Sequence, residues 1–385
     1  MFQVILKYLC REMYLRKLTL LNFRNYAEAT LEFSPTVNCF TGDNGAGKTN
    51  LLDAIHYLSM TRSYFSATDT NNIRHAESMM MIQGEFDLDG HPETVMCGVR
   101  SGQKKVFKRN QKEYERLSDH IGVFPVVMIA PTDQELITEG SELRRKFMDS
   151  IISQADHAYL DDLIRYNQVI TQRNSLLKQS GITGLVDSSS LNVWDDQLAY
   201  YGQRIYEKRK LFVSGFEPLF NELFAFISGN RQPAGITYES MLHHKDWATL
   251  LTENRSKDLD FQYTTVGTHK DDLTVQLNGF PARKFASQGQ QKSLVIALKL
   301  AHFSYLCKLG FPKPIVLLDD IFDKLDEGKV TRLMELVSRD EFGQLFITDT
   351  HRERVAGIFE KLDIPLSIFQ AENGNLYEAF QPGSR

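Results

Sequence analysis

The chain has 385 residues, with 44 Lys+Arg against 49 Asp+Glu, a formal net charge of −5 and 42% apolar residues. This composition supports a sizeable core spread over two or three domains and excludes wholesale disorder. Mild acidity excludes a uniformly basic coat, so any nucleic-acid contact must come from a local patch, and the apolar runs are too short to predict a membrane span.

The opening residues, MFQVILKYLCRE, carry only Lys7 before the apolar part ends and lack an A-x-A cleavage site, so they do not read as a signal peptide. Met13 begins a cleaner strand-like segment, and residues 1–12 are read as an extension. Residues 13–41 read as strands, ending in the apolar run Val37 to Phe40. Gly42 to Thr49 is a glycine-rich turn. After it, Leu51, Leu52, Ala54, Ile55 and Leu58 fall at helical spacing. Residues 79–109 return to β pattern, broken at Asp89-Gly90 and Ser101-Gly102, and VFPVVMIAP (123–131) suits a buried strand. The texture then changes. Residues 141–179 and 191–229 are charged and nearly free of Gly and Pro, which predicts two helical stretches joined by the polar loop 180–190. β-like sequence resumes over 235–285. A helix over 289–308, a strand over 314–320, a helix near 327–338, a strand over 344–349 and a final helix follow.

Four cysteines (Cys10, Cys39, Cys97 and Cys307) lie far apart, with no CxxC pair and no Cys/His ligand spacing. Neither a zinc site nor a disulfide framework is indicated, and a reducing cytoplasm is the expected location.

The strongest chemical signal is Gly42-Asp43-Asn44-Gly45-Ala46-Gly47-Lys48-Thr49, which fits the P-loop pattern G-x-x-x-x-G-K-[ST] between a strand and a helix. Its glycines let backbone amides curl around phosphates while the helix N-terminus faces the anion. Lys48 would reach the β- and γ-phosphates, and Thr49 would hold Mg²⁺. The second signal is Ile315-Val316-Leu317-Leu318-Asp319-Asp320, an apolar strand ending in two acids, a Walker B segment. Asp319 would coordinate Mg²⁺, and Asp320 would position or deprotonate the attacking water. Most of the chain separates Lys48 from Asp319. The two halves of a nucleotide site therefore flank a large insertion, unlike a small GTPase. The third signal is Ser287-Gln288-Gly289-Gln290-Gln291-Lys292 at the start of a helix, which offers a hydroxyl, free amides and a helix dipole to an anion.

Placed upstream of Asp319, that third segment resembles the signature motif of ABC-type ATPases, which reaches the γ-phosphate held by a second subunit. Asp323-Lys324-Leu325-Asp326 resembles their D-loop, and Thr350-His351 sits where they carry a γ-phosphate-sensing histidine. The lobe-linking glutamine loop maps to Ala130–Gln134, with Asp133 and Gln134 both open as its polar contact. More specifically, LTLLNFRNYAEATLEFSPTVNCFTGDNGAGKTNLLDAIHYLS, APTDQELITEGSELRRKFMDSII, GTHKDDLTVQLNG, FASQGQQKSLVIALKLA and PIVLLDDIFDKLD match, in order, the segments of the RecF family of SMC-related ATPases. The similarity runs over about 13–380. The family usually has Gly-Pro-His-Arg where this chain has Gly267-Thr268-His269-Lys270, and an arginine common near Ser63-Tyr64-Phe65 is missing.

The resemblance implies an α/β fold, a P-loop ABC/SMC-like ATPase head over 13–135 and 265–385, interrupted by a mainly helical lobe over 136–264. It implies ATP and Mg²⁺ as cofactors. Gly42 to Thr49, Asp319, Asp320 and His351 would lie on one protomer; Ser287, Gly289, Gln290 and Asp326 would come from a second. It further implies slow ATP hydrolysis, ATP-dependent dimerisation on double-stranded and gapped or single-stranded DNA, no membrane, and work with RecO- and RecR-type mediators in recombinase loading, replication restart and the SOS response. The insertion is too short for two long coiled-coil arms with a hinge. A transporter ATPase subunit and a non-hydrolysing ATP-binding DNA scaffold are the alternatives.

Basic clusters that could meet DNA are few: Lys104, Lys105, Lys108, Arg109 and Lys112; Arg144, Arg145 and Lys146; and Lys208, Arg209 and Lys210, with Arg62 and Arg74 near the P-loop helix. No base-reading motif is present. Asp271-Asp272 reads as a structural turn.

Overall fold

The structure, a computed structural model, describes residues 10–185, 188–229, 232–322, 327–337, 342–372 and 374–380. They pack as two compact units: Met1–Gln134, Glu222–Arg231 and Gln288–Arg385 form the first, and Glu135–Asn221 with Gln232–Ser287 the second. The second unit therefore extends past the boundary expected at 264. The reason is strand pairing. Asp272–Leu277 pairs antiparallel with Ala234–Glu239 over its whole length, and Arg144 holds Asp272 through two bonds of 2.7 and 2.9 Å.

The first unit contains two six-stranded sheets. One is antiparallel, in the order Tyr26–Glu32, Met13–Phe23, Met79–Leu88, His91–Arg100, Val106–Arg109, Lys112–Glu113. Its strands alternate between buried and partly exposed positions, as a sheet with one covered face requires. The other sheet runs Asn375–Phe380, Leu366–Glu372, Val37–Thr41, Leu345–Asp349, Ile315–Leu318, Val126–Ile129. All its pairings are parallel except the first. Val37–Thr41, Ile315–Leu318 and Leu345–Asp349 are buried at every position, which explains why they read as continuous apolar runs.

The helix Lys48–Met60 joins the two sheets into one core. From Leu51 to Met60 every residue is buried. Leu51, Leu52, Ile55 and Leu58 share a cluster with Leu15, Leu18, Leu20, Met80 and Ile82 of one sheet and Phe40, Leu317, Phe346 and Phe369 of the other. Phe33 meets Phe40, Phe346 and Phe369 edge-on at 4.9–6.0 Å, adding geometric specificity to the burial.

In the second unit, the first expected helical stretch is broken into Ser141–Ala155 and His157–Thr183. Asp156 ends one and caps the next, its carboxylate accepting from Tyr159 N–H at 3.1 Å. Helix Ser188–Ser228 follows, continuing at its end into the first unit, and Trp247–Phe261 lies beyond it. By length and composition alone the long helix could cross a membrane. Its Phe212, Phe216, Phe220, Leu223 and Phe224 are nevertheless buried within the protein. A three-stranded antiparallel sheet, Phe280–Pro281, Asp272–Leu277, Ala234–Glu239, completes the unit.

Three buried histidines in the first unit make its stability sensitive to acid. Burial lowers His56 and His302 to about 3 and His120 to about 4. His120 Nε2 lies 2.7 Å from the Leu58 carbonyl and must donate, so Nδ1 accepts from Tyr114 hydroxyl at 3.1 Å. The neutral ring is thus fully used. The unfolded chain takes up these protons near pH 6.5 and the folded chain does not, so stability present above 6.5 is lost as pH falls towards 4. Thermal melting from pH 7.5 to 5 should show a falling Tm, roughly 1 kcal/mol or more per histidine at the low end; a flat profile would contradict this.

Candidate functional site

The segment Gly42–Gly47 leaves the buried strand Val37–Thr41 and enters the helix at Lys48. Gly42 and Gly47 are required by space as well as by angle. Gly42 has φ +140°, and a Cβ there would lie 2.2 Å from the Ala371 carbonyl oxygen. Gly47 has φ +110°, and a Cβ there would lie 2.3 Å from Asn25 Nδ2. Asn25 clamps the loop from the turn between the first two strands: its Nδ2 donates to the Ala46 carbonyl at 3.0 Å, and its Oδ1 accepts from Asn50 at 2.7 Å. Asp43, Asn44 and Gly45 are exposed.

Lys48 is buried and curls back over the loop, donating to the Gly42 and Asp43 carbonyls at 2.5 and 2.9 Å. Burial lowers its pKa, opposed by Asp320, Asp319, Asp349 and Asp43. Thr49 hydroxyl faces Asp319, at 2.9 and 3.1 Å from its two oxygens. The P-loop and the Walker B strand are therefore brought together as expected, although most of the sequence separates them. Burial raises the Asp319 carboxyl, and hydrogen bonds from Thr348 and Thr49 oppose this.

Thr348 is a site residue that the sequence reading missed. Its hydroxyl donates to Asp319 Oδ1 at 2.8 Å and accepts from Asp320 N–H at 2.9 Å. It thereby fixes the turn at Asp320, which sits in the left-handed region at φ +47°. The available signal was its place on the neighbouring strand, two residues before Thr350. Beside it, Asp349 is buried, held bidentately by Arg354 at 2.7–2.8 Å, and accepts from His351 N–H at 2.6 Å. His351 itself is exposed at the start of the helix Arg352–Lys361.

A cavity of about 250 Å³ adjoins the carboxylates, lined by Pro131, Gln134, Gln288, Lys292, Asp319 and Asp320 among others. Of the two glutamine-loop candidates, Gln134 lines this cavity and donates to Gln291 at 3.0 Å. Asp133 points into the structure instead. It accepts from Ala130 N–H at 2.7 Å and from Tyr64 hydroxyl, and it pairs with buried Lys299 at 2.6 Å. Ser287 is exposed immediately before helix Gln288–Lys308, and Gly289 and Gln290 lie in its first turn, half-buried. The Asp323–Asp326 segment lies outside the described residues.

Most of the anticipated basic clusters are consumed by internal pairing. Arg109 is bidentate to Glu93 at 2.8 Å, and Lys105 bonds Asp69 at 2.8 Å and the Thr61 carbonyl at 2.6 Å. Arg144 pairs with Asp272, Arg145 bonds the Asp271 carbonyl, and Lys146 pairs with Glu142. Arg209 is buried between Asp149 and Asp271, and Lys208 pairs with Asp156. Asp271 and Asp272 are thus structural, as expected. Arg62 is exposed, while half-buried Arg74 is 4.0 Å from Glu77.

Thr348→Val keeps the shape but orphans the Asp320 N–H and removes a donor from Asp319. The expected loss is about 1–3 kcal/mol, read as a Tm lowered by a few degrees in the nucleotide-free protein; an unchanged Tm would remove Thr348 from this account.

The model of the RecF/RecN/SMC N-terminal domain matches residues 14–376. The DNA replication and repair protein RecF of Flavobacterium johnsoniae is 48% identical, with 93% of this chain and 99% of that protein covered. The RecF of Phocaeicola vulgatus is 46% identical, with 95% and 98% covered. Among solved structures, the recombination mediator protein RecF-ATP of the RecFOR pathway superposes with a TM-score of 0.87 at 30% identity, covering 96% of this chain and 98% of that one. An Smc head bound to the C-terminal winged-helix domain of ScpA has a TM-score of 0.56 at 14% identity, a likeness of fold. With relatives matched over nearly their full length and the P-loop and Walker B segments joined through Thr49 and Asp319, the chain belongs to the RecF family of DNA replication and repair proteins.

Proposed function

We propose that this chain is an ATP-gated DNA-binding ATPase of recombinational repair. The observation that carries the reading is the contact between Thr49 and Asp319, tied through Thr348 to Asp320. It gathers a hydroxyl, a carboxylate and a turn-fixed second carboxylate at the mouth of a P-loop. The donors fit the implied ligands. Lys48 donates to the Gly42 and Asp43 carbonyls of the loop, and hard oxygen ligands at Thr49 and Asp319 suit Mg²⁺. Among the described residues no cluster of three or more His, Cys, Asp or Glu side chains could hold a metal. The ion would then take its remaining ligands from phosphate and water.

In this reading Gly42 to Thr49 bind the phosphates of ATP, Lys48 turns from the loop carbonyls to the β- and γ-phosphates, and Asp320 orients the attacking water. Mg²⁺ held by Thr49 and Asp319 would supply positive charge against that developing on the phosphates. Gln134 carries the state of the cavity to helix Gln288–Lys308 through Gln291. Ser287, Gly289, Gln290 and Asp326 complete the partner's site, so that ATP joins two copies on DNA and slow hydrolysis releases them. His351 senses the γ-phosphate. The place of the solved RecF relatives in the RecFOR pathway supports RecO- and RecR-type partners and a cytoplasmic setting.

Lys48→Met should abolish ATP-dependent DNA binding and lower turnover roughly 100-fold or more; unchanged binding would sink the switch. Ser287→Arg should keep ATP binding in the monomer and lose ATP-dependent dimerisation in sedimentation; a variant that still dimerises would refute the trans role. An ATPase assay with and without gapped DNA separates this reading from a non-hydrolysing scaffold, for which turnover would be absent in both.

A further inference from the structure

Between Asp272 and Asp319 the chain has no Asp or Glu, yet it carries Arg283, Lys284, Lys292, Lys299, Lys308 and Lys313. In a chain of net charge −5 this is a marked local asymmetry. Some of these cations are already engaged: Lys299 pairs with Asp133, Lys313 pairs with Glu12, and Lys292 lines the nucleotide cavity. Arg283 and Lys284 are different. Both are exposed, and neither has an ion pair among the described residues.

They lie within a small aromatic knuckle of the second unit. Strand Asp272–Leu277 is anchored inward by Leu273, Val275 and Leu277. It turns at Asn278 and Gly279, with φ of +53° and +77°, a tight hairpin turn whose geometry these two residue types supply. Phe280 follows. The one-turn helix Ala282–Phe285 is pinned by buried Ala282. This geometry leaves Phe280 and Phe285 58% and 64% exposed, their rings packed against each other at 5.3 Å, with Arg283 and Lys284 between them in sequence. Two large exposed rings on rigid supports are costly to leave in water without a use. Two exposed cations on the same short helix, Arg283 and Lys284, argue against a purely apolar occupant.

We propose that Phe280, Arg283, Lys284 and Phe285 form a contact site for single-stranded DNA, with bases stacking on the rings and phosphates meeting the two cations. This inference rests on the DNA-binding reading above and names a surface for it. Stacking is sequence-tolerant because every base has a π-face, in keeping with the absence of a base-reading motif. It also selects single strands, since a duplex keeps its bases stacked on one another.

The test measures fluorescence anisotropy of a labelled oligothymidylate and of a duplex of equal length, with ATP and Mg²⁺, using the full chain. Phe280→Ala/Phe285→Ala should weaken oligothymidylate binding about tenfold or more and leave duplex binding within about twofold. Phe280→Tyr/Phe285→Tyr should restore it. Arg283→Ala/Lys284→Ala should lower the slope of log affinity against log salt by about 1.4. If the wild-type chain binds and the alanine pair binds oligothymidylate equally well, the inference is wrong while the DNA-binding reading survives. If the alanine pair instead loses ATP-dependent self-association without DNA, the patch is a contact between copies and the inference is likewise overturned. A wild-type chain that binds neither oligonucleotide overturns both.

Discussion

A single buried carboxylate organises the head. Asp53 lies in the P-loop helix, fully inside a layer covered by sheets on both sides, where an unpaired charge would be prohibitively costly. Arg24 meets it at 2.5 Å, and Ser63 hydroxyl and Tyr64 N–H each meet it at 2.7 Å. Arg24 also reaches Asn50 and Asn72 at 3.1 Å, from a turn where it holds the left-handed conformation at φ +49°. One charge therefore ties the first hairpin, the P-loop helix and the segment after it into a single arrangement. Asn25 follows Arg24 on the same turn, so the clamp on the P-loop backbone inherits its position from that ion pair.

The second unit uses the same device twice. Arg173 is fully buried between Asp195 and Asp258, at 2.6 and 2.7 Å, and also donates to Thr264. Arg209 is buried among Asp149, Asp271, Tyr159 and the Thr268 carbonyl. Each guanidinium has several donors in a fixed fork, which suits the joining of helices to a loop or sheet. These hubs hold long helices whose apolar faces alone would allow them to slide. Replacing one partner would strand a buried charge, so such networks fix register more than they add net stability.

Local features of the site were legible in the sequence because their physics is local. Gly42 to Thr49 form one turn, and Ile315 to Asp320 one strand with its edge, so composition and order suffice. Thr348 was missed because its meaning depends on which strand lies next to Ile315–Leu318, and that is set by pairing across the sheet. The basic clusters misled for a related reason. Arg144 and Arg209 look like exposed charge in sequence, but their carboxylate partners lie about 60 to 130 residues away. The domain boundary moved for the same cause, since Asp272–Leu277 takes its place from Ala234–Glu239. Asp133 and Gln134 were indistinguishable until the backbone sent one inward and the other to the cavity.

The order of strands also has a consequence for synthesis. Val37–Thr41, which leads into the P-loop, lies between Leu345–Asp349 and Leu366–Glu372 and, among the described residues, pairs with no strand from the first half of the chain. A nascent polypeptide emerging from the ribosome therefore carries its P-loop segment, Gly42–Thr49, on a strand whose flanks are both still untranslated. The hairpins of the antiparallel sheet and the helices of the second unit can form from neighbouring sequence, but the parallel sheet must wait for long-range closure, the slow kind of contact. The strand that leads into Gly42–Thr49 is thus among the last to find its place, and a chain cut short before Leu366 would lack one of its two flanks.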